Sequence, residues 1–297
     1  MANGRRKVSM TVNKKYKDSV FSFLFSDPDL LRELYCALEG ISLPASVPVT
    51  INTLENVLFM ELTNDISFEI GGKLVILIEH QSTINPNMTL RLLMYIARVY
   101  ERIFDEKNLY SSKNLSIPRP EFFVLYNGTA PYPDEKIMRL SEAFEELETL
   151  GLSGKEQPSL ELVVKVININ EGKNEAIAGR CGKLAEYSAF IAKVRYFLAE
   201  TGGDKEKAMR AAIKYCREHG ILNKFLEQHS KEVFNMLITE WNTETAKEVW
   251  FEEGLEQGRE EGTREKLRNA ANFKKLGVSK EIISQATGLT IEEIEKL

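Results

Sequence analysis

The sequence predicts an α/β fold with a helical C-terminal extension. Three observations predict it. First, Ile66, Phe68 and Ile70 alternate with Asp65, Ser67 and Glu69, the period-two pattern of a half-buried strand. Second, Gly71-Gly72 leads into the most apolar run of the chain, Leu74 to Ile78, which reads as a buried return strand because glycine tolerates the positive φ of a tight turn. Third, apolar residues recur at helical spacing after Asn85 and again from Leu184 onward.

The elements follow in order. Residues 1–12 read as a flexible N-terminus with a basic cluster at Arg5-Arg6-Lys7. A helix is predicted from Asn13 to Phe25, with Phe21, Leu24 and Phe25 as its apolar stripe. Lys14 and Asp18, four apart, share a face of it. They are either an ion pair worth about 0.3–0.5 kcal/mol or a base and an acid lent to a neighbouring site. Asp27-Pro28 starts a second helix, which runs to about residue 40, and Leu43 to Pro48 is a loop. The hairpin comprises Asn64–Ile70 and Lys73–Gln81. Asn85-Pro86 reads as cap and first residue of the next helix, periodic from Leu90 to Phe104. Lys107 to Pro120 is a polar loop, Glu121 to Tyr126 a strand, and Asn127-Gly128 its turn. An irregular stretch from Tyr132 leads into a short acidic helix ending near Leu150, and Leu160 to Asn168 is a further strand. Beyond Leu184, Gly202-Gly203 breaks the helical pattern, which resumes over Lys205–His219 and Ile221–Trp241.

The hairpin carries the chemistry. With the turn centred on Gly72, opposed residue numbers sum to 144, which sets Asp65 opposite Glu79. Cross-strand Cβ atoms lie about 4.5–5.5 Å apart, so two such carboxylates can share one cation. Glu79 and Gln81 project from one strand face and His80 from the other. Carboxylate oxygens completed by water and phosphate suit magnesium. No paired Cys or His spacing of a zinc site occurs. On the following helix Arg91, Tyr95, Arg98 and Arg102 fall on one face, opposite Leu92, Ile96, Val99 and Ile103. That ridge either grips a sugar–phosphate backbone or is a solvated face paired with Glu101 and Asp105.

These residues resemble a known family. Lys-Tyr-Lys-Asp-Ser-Val-Phe near the start, Asn64-Asp65-Ile66-Ser67-Phe68, Leu77-Ile78-Glu79-His80-Gln81-Ser82-Thr83, Tyr95-Ile96-Ala97-Arg98 and Phe123-Val124-Leu125-Tyr126-Asn127-Gly128 look like the bacterial recombination-promoting nuclease/transposase (Rpn) family of the PD-(D/E)XK nuclease superfamily. The match extends over roughly residues 10 to 200. The resemblance implies a restriction-endonuclease-like core, a mixed central sheet flanked by helices. It implies cleavage of double-stranded DNA dependent on Mg2+, with Mn2+ or Ca2+ as other candidate ions, in a setting of recombination or mobile elements. Asp65 and Glu79 would be the metal carboxylates, and Asp18 would match a supporting acid. Gln81 stands where the superfamily usually has lysine, and it can orient a water without offsetting charge. Lys14, Arg91, Tyr95 and Arg98 are the expected nucleic-acid contacts. The alternative is a catalytically silent nuclease-fold module that binds DNA or protein, or an oligomerising defence or regulatory protein whose glycine-spaced tail controls assembly.

Composition bounds these readings. The chain has 297 residues, 43% hydrophobic and 28% charged, with net charge −5. That balance argues against binding nucleic acid by bulk electrostatics and leaves room for a local basic cleft. Three scattered cysteines fit reduced structural thiols. No apolar run of membrane length and no signal-type leader occurs, so a cytoplasmic protein without membrane contact is expected. The expected organisation is a flexible segment 1–12, a nuclease-like domain 13–183, a helical extension 184–241 and a charged tail 242–297. Residues 241–270 hold eight acids and five bases, with Gly254, Gly258 and Gly262 recurring every four residues. This is either a solvated helix or a stalk for homo-oligomer formation. The last residues, Ser279–Ala286 and Thr290–Leu297 around Thr287-Gly288-Leu289, have helix-turn-helix spacing. Glu292, Glu293 and Glu295 would repel phosphates, which favours a protein-contact or vestigial role over DNA reading.

Overall fold

A computed structural model describes residues 19–52, 66–83, 85–145 and 158–297. Six strands among them form one mixed sheet in the order β1-β2-β3-β4-β6-β5, with β1 Val49–Ile51, β2 Ile66–Ile70, β3 Leu74–Gln81, β4 Arg119–Tyr126, β5 Glu135–Arg139 and β6 Val163–Asn168. β1, β2 and β3 are antiparallel neighbours, β3, β4 and β6 run parallel, and β5 returns antiparallel on β6. Ile66 pairs with Ile78 and Ile70 with Leu74, so the hairpin register is the one that the glycine turn predicts. Gly71 and Gly72 have φ of 57° and 65°, the left-handed conformation that glycine adopts without cost.

Each face of the sheet is covered. On one, Val75, Leu77, Val124, Tyr126, Val164 and Val166 pack against Leu92, Tyr95, Ile96 and Val99 of helix α3, Met88–Ile103. On the other, Ile76, Ile78, Phe123 and Leu125 are buried. There Phe21 of α1 (Val20–Leu24) stacks on His80 at 4.9 Å. Tyr35 of α2 (Pro28–Glu39) meets Phe123 edge-on at 6.5 Å. Parallel strands buried on both faces read as unbroken apolar runs, which is why Leu74–Ile78 and Phe122–Tyr126 carry no alternation.

Local signals explain most boundaries. Asp27 accepts from the amides of Asp29 (2.7 Å) and Leu30 (3.3 Å) and Pro28 opens α2, as the sequence predicts. α1 covers only part of the predicted Asn13–Phe25 helix: Ser19 caps it, accepting from Ser22 N at 3.1 Å. Lys14 and Asp18 lie outside the described residues. The cap of α3 is Asn87, not Asn85. Asn85 instead accepts from Asn87 N at 2.9 Å in a turn that precedes the helix. A short helix α4, Glu106–Leu109, runs into the start of the predicted Lys107–Pro120 loop.

One region differs in kind. Asn127-Gly128 ends β4 without making a hairpin, and Glu135–Arg139 is a strand where an irregular stretch leading into a helix is expected. Glu-Lys-Ile-Met-Arg favours helix by propensity, and only Met138 is buried. Pairing with β6 overrides that preference, as tertiary context commonly does for edge strands. A 3-10 turn, Leu140–Ala143, follows; the predicted acidic helix lies partly outside the described residues.

The region after residue 175 is largely helical: α5 Glu175–Arg180, α6 Gly182–Glu200, α7 Lys205–Glu218, α8 Asn223–Lys275, α9 Lys280–Thr287 and α10 Ile291–Lys296. Chain contacts separate two units, Met1–Ile238 and Thr239–Leu297. Within the first, α8 leaves helical geometry at His229 (φ −129°, ψ 22°), whose ring lies edge-on to Phe23 at 4.7 Å. Within the second, Ala270, Ile283 and Ile294 form a small core with Val278 and Leu289. Gly288 (φ 70°) closes α9, and Thr290 and Glu293 form a capping box on α10.

Candidate active site at the carboxyl edge of the sheet

Three parallel strands end together. Gln81 pairs with Tyr126 and Tyr126 with Asn168, so their carboxyl ends form one level row. In open α/β sheets this edge is where ligands bind, because the chain turns away there and leaves backbone and side chains accessible. One step inside the row, Glu79 pairs with Val124.

Glu79 is 3% exposed. It shares its strand face with Val75 and Leu77, so it points toward α3. A carboxylate so placed needs a charged partner. Arg91 of α3 supplies one, with Nη2 3.4 Å from Glu79 Oε2. The same guanidinium donates to the Tyr95 hydroxyl through Nη2 (2.6 Å) and Nε (3.1 Å). The result is a half-buried relay from carboxylate to guanidinium to phenol.

Gln81, two residues on, is held at both ends of its amide. Its Nε2 donates to Met88 Sδ at 2.9 Å, and its Oε1 accepts from Asn85 N at 3.3 Å. It therefore pins the entry of α3 to the end of β3. His80 faces the other side, where Tyr187 of α6 lies 3.1 Å from its Nε2. Burial, helped by the nearby Arg195 charge, lowers the imidazole from its ordinary value near 6.5 to about 4, so His80 is neutral at physiological pH.

The predicted ridge on α3 splits. Tyr95 is 1% exposed and belongs to the core, not to a solvent face. At 3.6 residues per turn it sits about 40° from Val99 and about 60° from Arg98 around the helix, on the shoulder of the apolar stripe. Arg91 turns inward with it. Arg98 stays outside and pairs with Glu101 at 2.7 Å. Asp65, Asp18 and Lys14 lie outside the described residues. The structure thus brings together Glu79, Gln81, Arg91 and Tyr95, and leaves Arg98 apart from them in a surface ion pair. Among the described residues no group of three or more His, Cys, Asp or Glu forms a metal cage.

Sequence reasoning missed a second set of polar residues on this edge. Arg195 of α6 donates to the Asn127 carbonyl and, at 2.8 Å, to Asn170 Oδ1. Asn170 Nδ2 donates to the Gly128 carbonyl at 3.1 Å and to Asn168 Oδ1 at 2.9 Å. Asn127 donates its backbone N–H to the Gln81 carbonyl at 2.9 Å, while both polar atoms of its side chain are buried without a partner. The signal was available: both buried strands, β4 and β6, end in asparagine-bearing segments, Tyr126-Asn127-Gly128 and Asn168-Ile169-Asn170. Gly128 is required there by contact, since a Cβ would overlap the Ser82 carbonyl oxygen and the Tyr126 ring.

No helix among the described residues is long and apolar enough to cross a membrane. No curated protein and no solved structure matches the chain. Residues 58–157 match the family described as putative transposase, YhgA-like. That stretch contains β2, β3, α3, β4 and β5, and with them Glu79, Gln81, Arg91 and Tyr95. The resemblance read from the sequence motifs is therefore supported over residues 58–157, a narrower stretch than the expected 10–200, and this segment is similar to the putative YhgA-like transposase (Rpn) family.

Proposed function

We propose that the protein is a magnesium-dependent DNA endonuclease acting in recombination or element mobility. The observation that carries this reading is Glu79: a carboxylate 3% exposed, at the carboxyl edge of a mixed sheet, inside the segment that matches a transposase family. A buried acid at the end of a hydrophobic strand costs stability even when paired, which marks it as a candidate for function. The organisation we propose keeps residues 13–183 as the nuclease domain, 184–241 as its helical extension and 242–297 as a charged tail.

The donor set fits a hard cation. Glu79 offers carboxylate oxygens beside a guanidinium, and among the described residues no thiolate or imidazole competes, since His80 faces away. The expectation that Asp65 completes the pair rests on the hairpin register that joins Ile66 to Ile78. Asp65 and Glu79 would hold the ion, and when bound it would polarise a phosphate oxygen and lower the pKa of a bound water. Gln81 would release Met88 and orient that water through its amide. Arg91 would exchange its contact with Glu79 for a phosphate oxygen, which keeps the guanidinium paired throughout. Tyr95 holds Arg91 at the correct height. Asp18 is proposed as the supporting acid, Lys14 as a nucleic-acid contact, and Arg98 as a phosphate contact in place of Glu101.

The test is plasmid nicking by purified protein with and without magnesium, beside Asp65→Ala and Glu79→Ala. Magnesium-dependent nicking lost in both variants is expected. Nicking that survives both would sink the assignment. A second reading has its own support: Gln81 is engaged at both ends and Arg91 already neutralises Glu79, which suits a module that binds without cutting. Absence of nicking by the wild type with magnesium, manganese or calcium favours that reading.

A further inference from the structure

We propose that the α6–α7 face is a stacking ladder for single-stranded DNA, built on Tyr196, Lys193, Tyr215 and His219. The proposal deepens the DNA reading above by naming where an unpaired strand would be held. Rings run continuously across the two helices. Tyr196 meets Phe197 edge-on at 5.2 Å (80°), Phe197 meets Tyr215 edge-on at 6.0 Å (61°), and Tyr215 stacks on His219 at 3.8 Å with 13° between planes. The ladder opens to solvent at both ends: Tyr196 is 54% exposed and His219 is exposed. An exposed tyrosine at the end of a ring array offers an aromatic surface on which a base can stack.

A cation is threaded through it. Lys193 Nζ lies 5.8 Å from the Tyr196 ring centroid and 5.2 Å from that of Tyr215. It sits between two rings, and no ion pair to a carboxylate holds it among the described residues. Residues 182–219 carry eight Lys or Arg and five Asp or Glu, net +3, in a chain of net −5. Lys207, Arg210, Lys214 and Arg217 recur on one exposed face of α7. Three of them pair with Asp204, Glu206 and Glu218 in exposed ion pairs, which cost little to exchange for phosphate.

Alternating π-faces and cations match the chemistry of a single strand. Unstacked bases offer rings and the backbone offers phosphates at regular intervals. A duplex hides its base faces, so it would use only the charges. The ladder also starts next to the carboxyl edge. Arg195, the residue before Tyr196, ties α6 to the Asn127 carbonyl, and Asn127 is bonded to Gln81.

The test is fluorescence anisotropy of a labelled oligothymidylate and of a duplex of equal length, with full-length protein in EDTA. No cutting occurs there, so this result and plasmid nicking are read separately. The wild type is expected to bind the single strand more tightly than the duplex. Tyr196→Ala is expected to weaken single-strand binding about tenfold, in the range of one lost base stack, while Tyr196→Phe retains it. Lys193→Ala is expected to flatten the dependence of log K on log salt by about 0.7. Tyr196 is solvent-exposed, so its variants decide the matter even where Lys193→Ala lowers the melting temperature. Unchanged binding in Tyr196→Ala, preference for duplex, or no binding by the wild type overturns the proposal.

Discussion

Arg91 holds a buried carboxylate and a buried phenol with one guanidinium, so its removal should be felt twice. Arg91→Ala is expected to lower stability by about 1–3 kcal/mol, the cost of leaving a buried charge short of a partner. Urea unfolding should show that loss, and added magnesium should recover much of it if the ion binds at Glu79. His80 gives a pH signature. Its folded-state value of about 4 is below the ordinary 6.5, so the unfolded chain binds the proton first as pH falls. Stability is therefore full above about pH 6.5 and declines toward pH 4, by roughly 1–3 kcal/mol for this group. Urea midpoints from pH 7.5 to 4.5 should fall less steeply in His80→Asn than in the wild type. At this scale the sequence showed which strand residues share a face, because period two is strict. It misplaced Tyr95, because a helix wheel has shoulders and a long phenol can cross one to reach the core.

Among the elements, the β4–β3 junction is the least forgiving. Gly128 lies where the Ser82 carbonyl and the Tyr126 ring leave no room for a Cβ. Gly128→Ala is expected to cost about 2–4 kcal/mol, since backbone must move to admit one methyl group. The N-cap of α2 is an ordinary device by comparison: Asp27→Ala should cost about 1 kcal/mol. Thermal melts of the two variants side by side check both. Capping and turn chemistry make α2 and the β2–β3 hairpin legible in the sequence, since those signals are local. The β5 strand is not legible there, because its composition prefers helix and its partner β6 is remote in sequence. The carboxamide row at Asn127, Asn168 and Asn170 escapes for the same reason, as the ends of β4 and β6 meet only once the parallel sheet is assembled.

For the whole molecule, the two contact units predict unequal protection. Among the described residues, the unit Thr239–Leu297 has a small buried cluster of Ala270, Ile283 and Ile294, and a cluster of that size supplies little stability of its own. Ile283→Ala is expected to speed amide exchange in residues 279–297 by more than tenfold while leaving β3 and β4 unchanged. Exchange mass spectrometry reads both in one experiment. The sequence anticipates these helices and their Gly288 boundary from spacing alone. It does not locate the polarity of the sheet, which follows from long connections and not from any local pattern.

That polarity has a consequence during synthesis. β4 is buried on both faces and acquires its second neighbour, β6, only when residue 168 has been made. At roughly 5–20 residues per second, the apolar edge Phe122–Tyr126 waits several seconds unpaired on a nascent chain. A sheet finished so late offers that edge to any other strand at hand, and overexpressed protein should therefore partition between folded and aggregated forms according to growth temperature and chaperone supply.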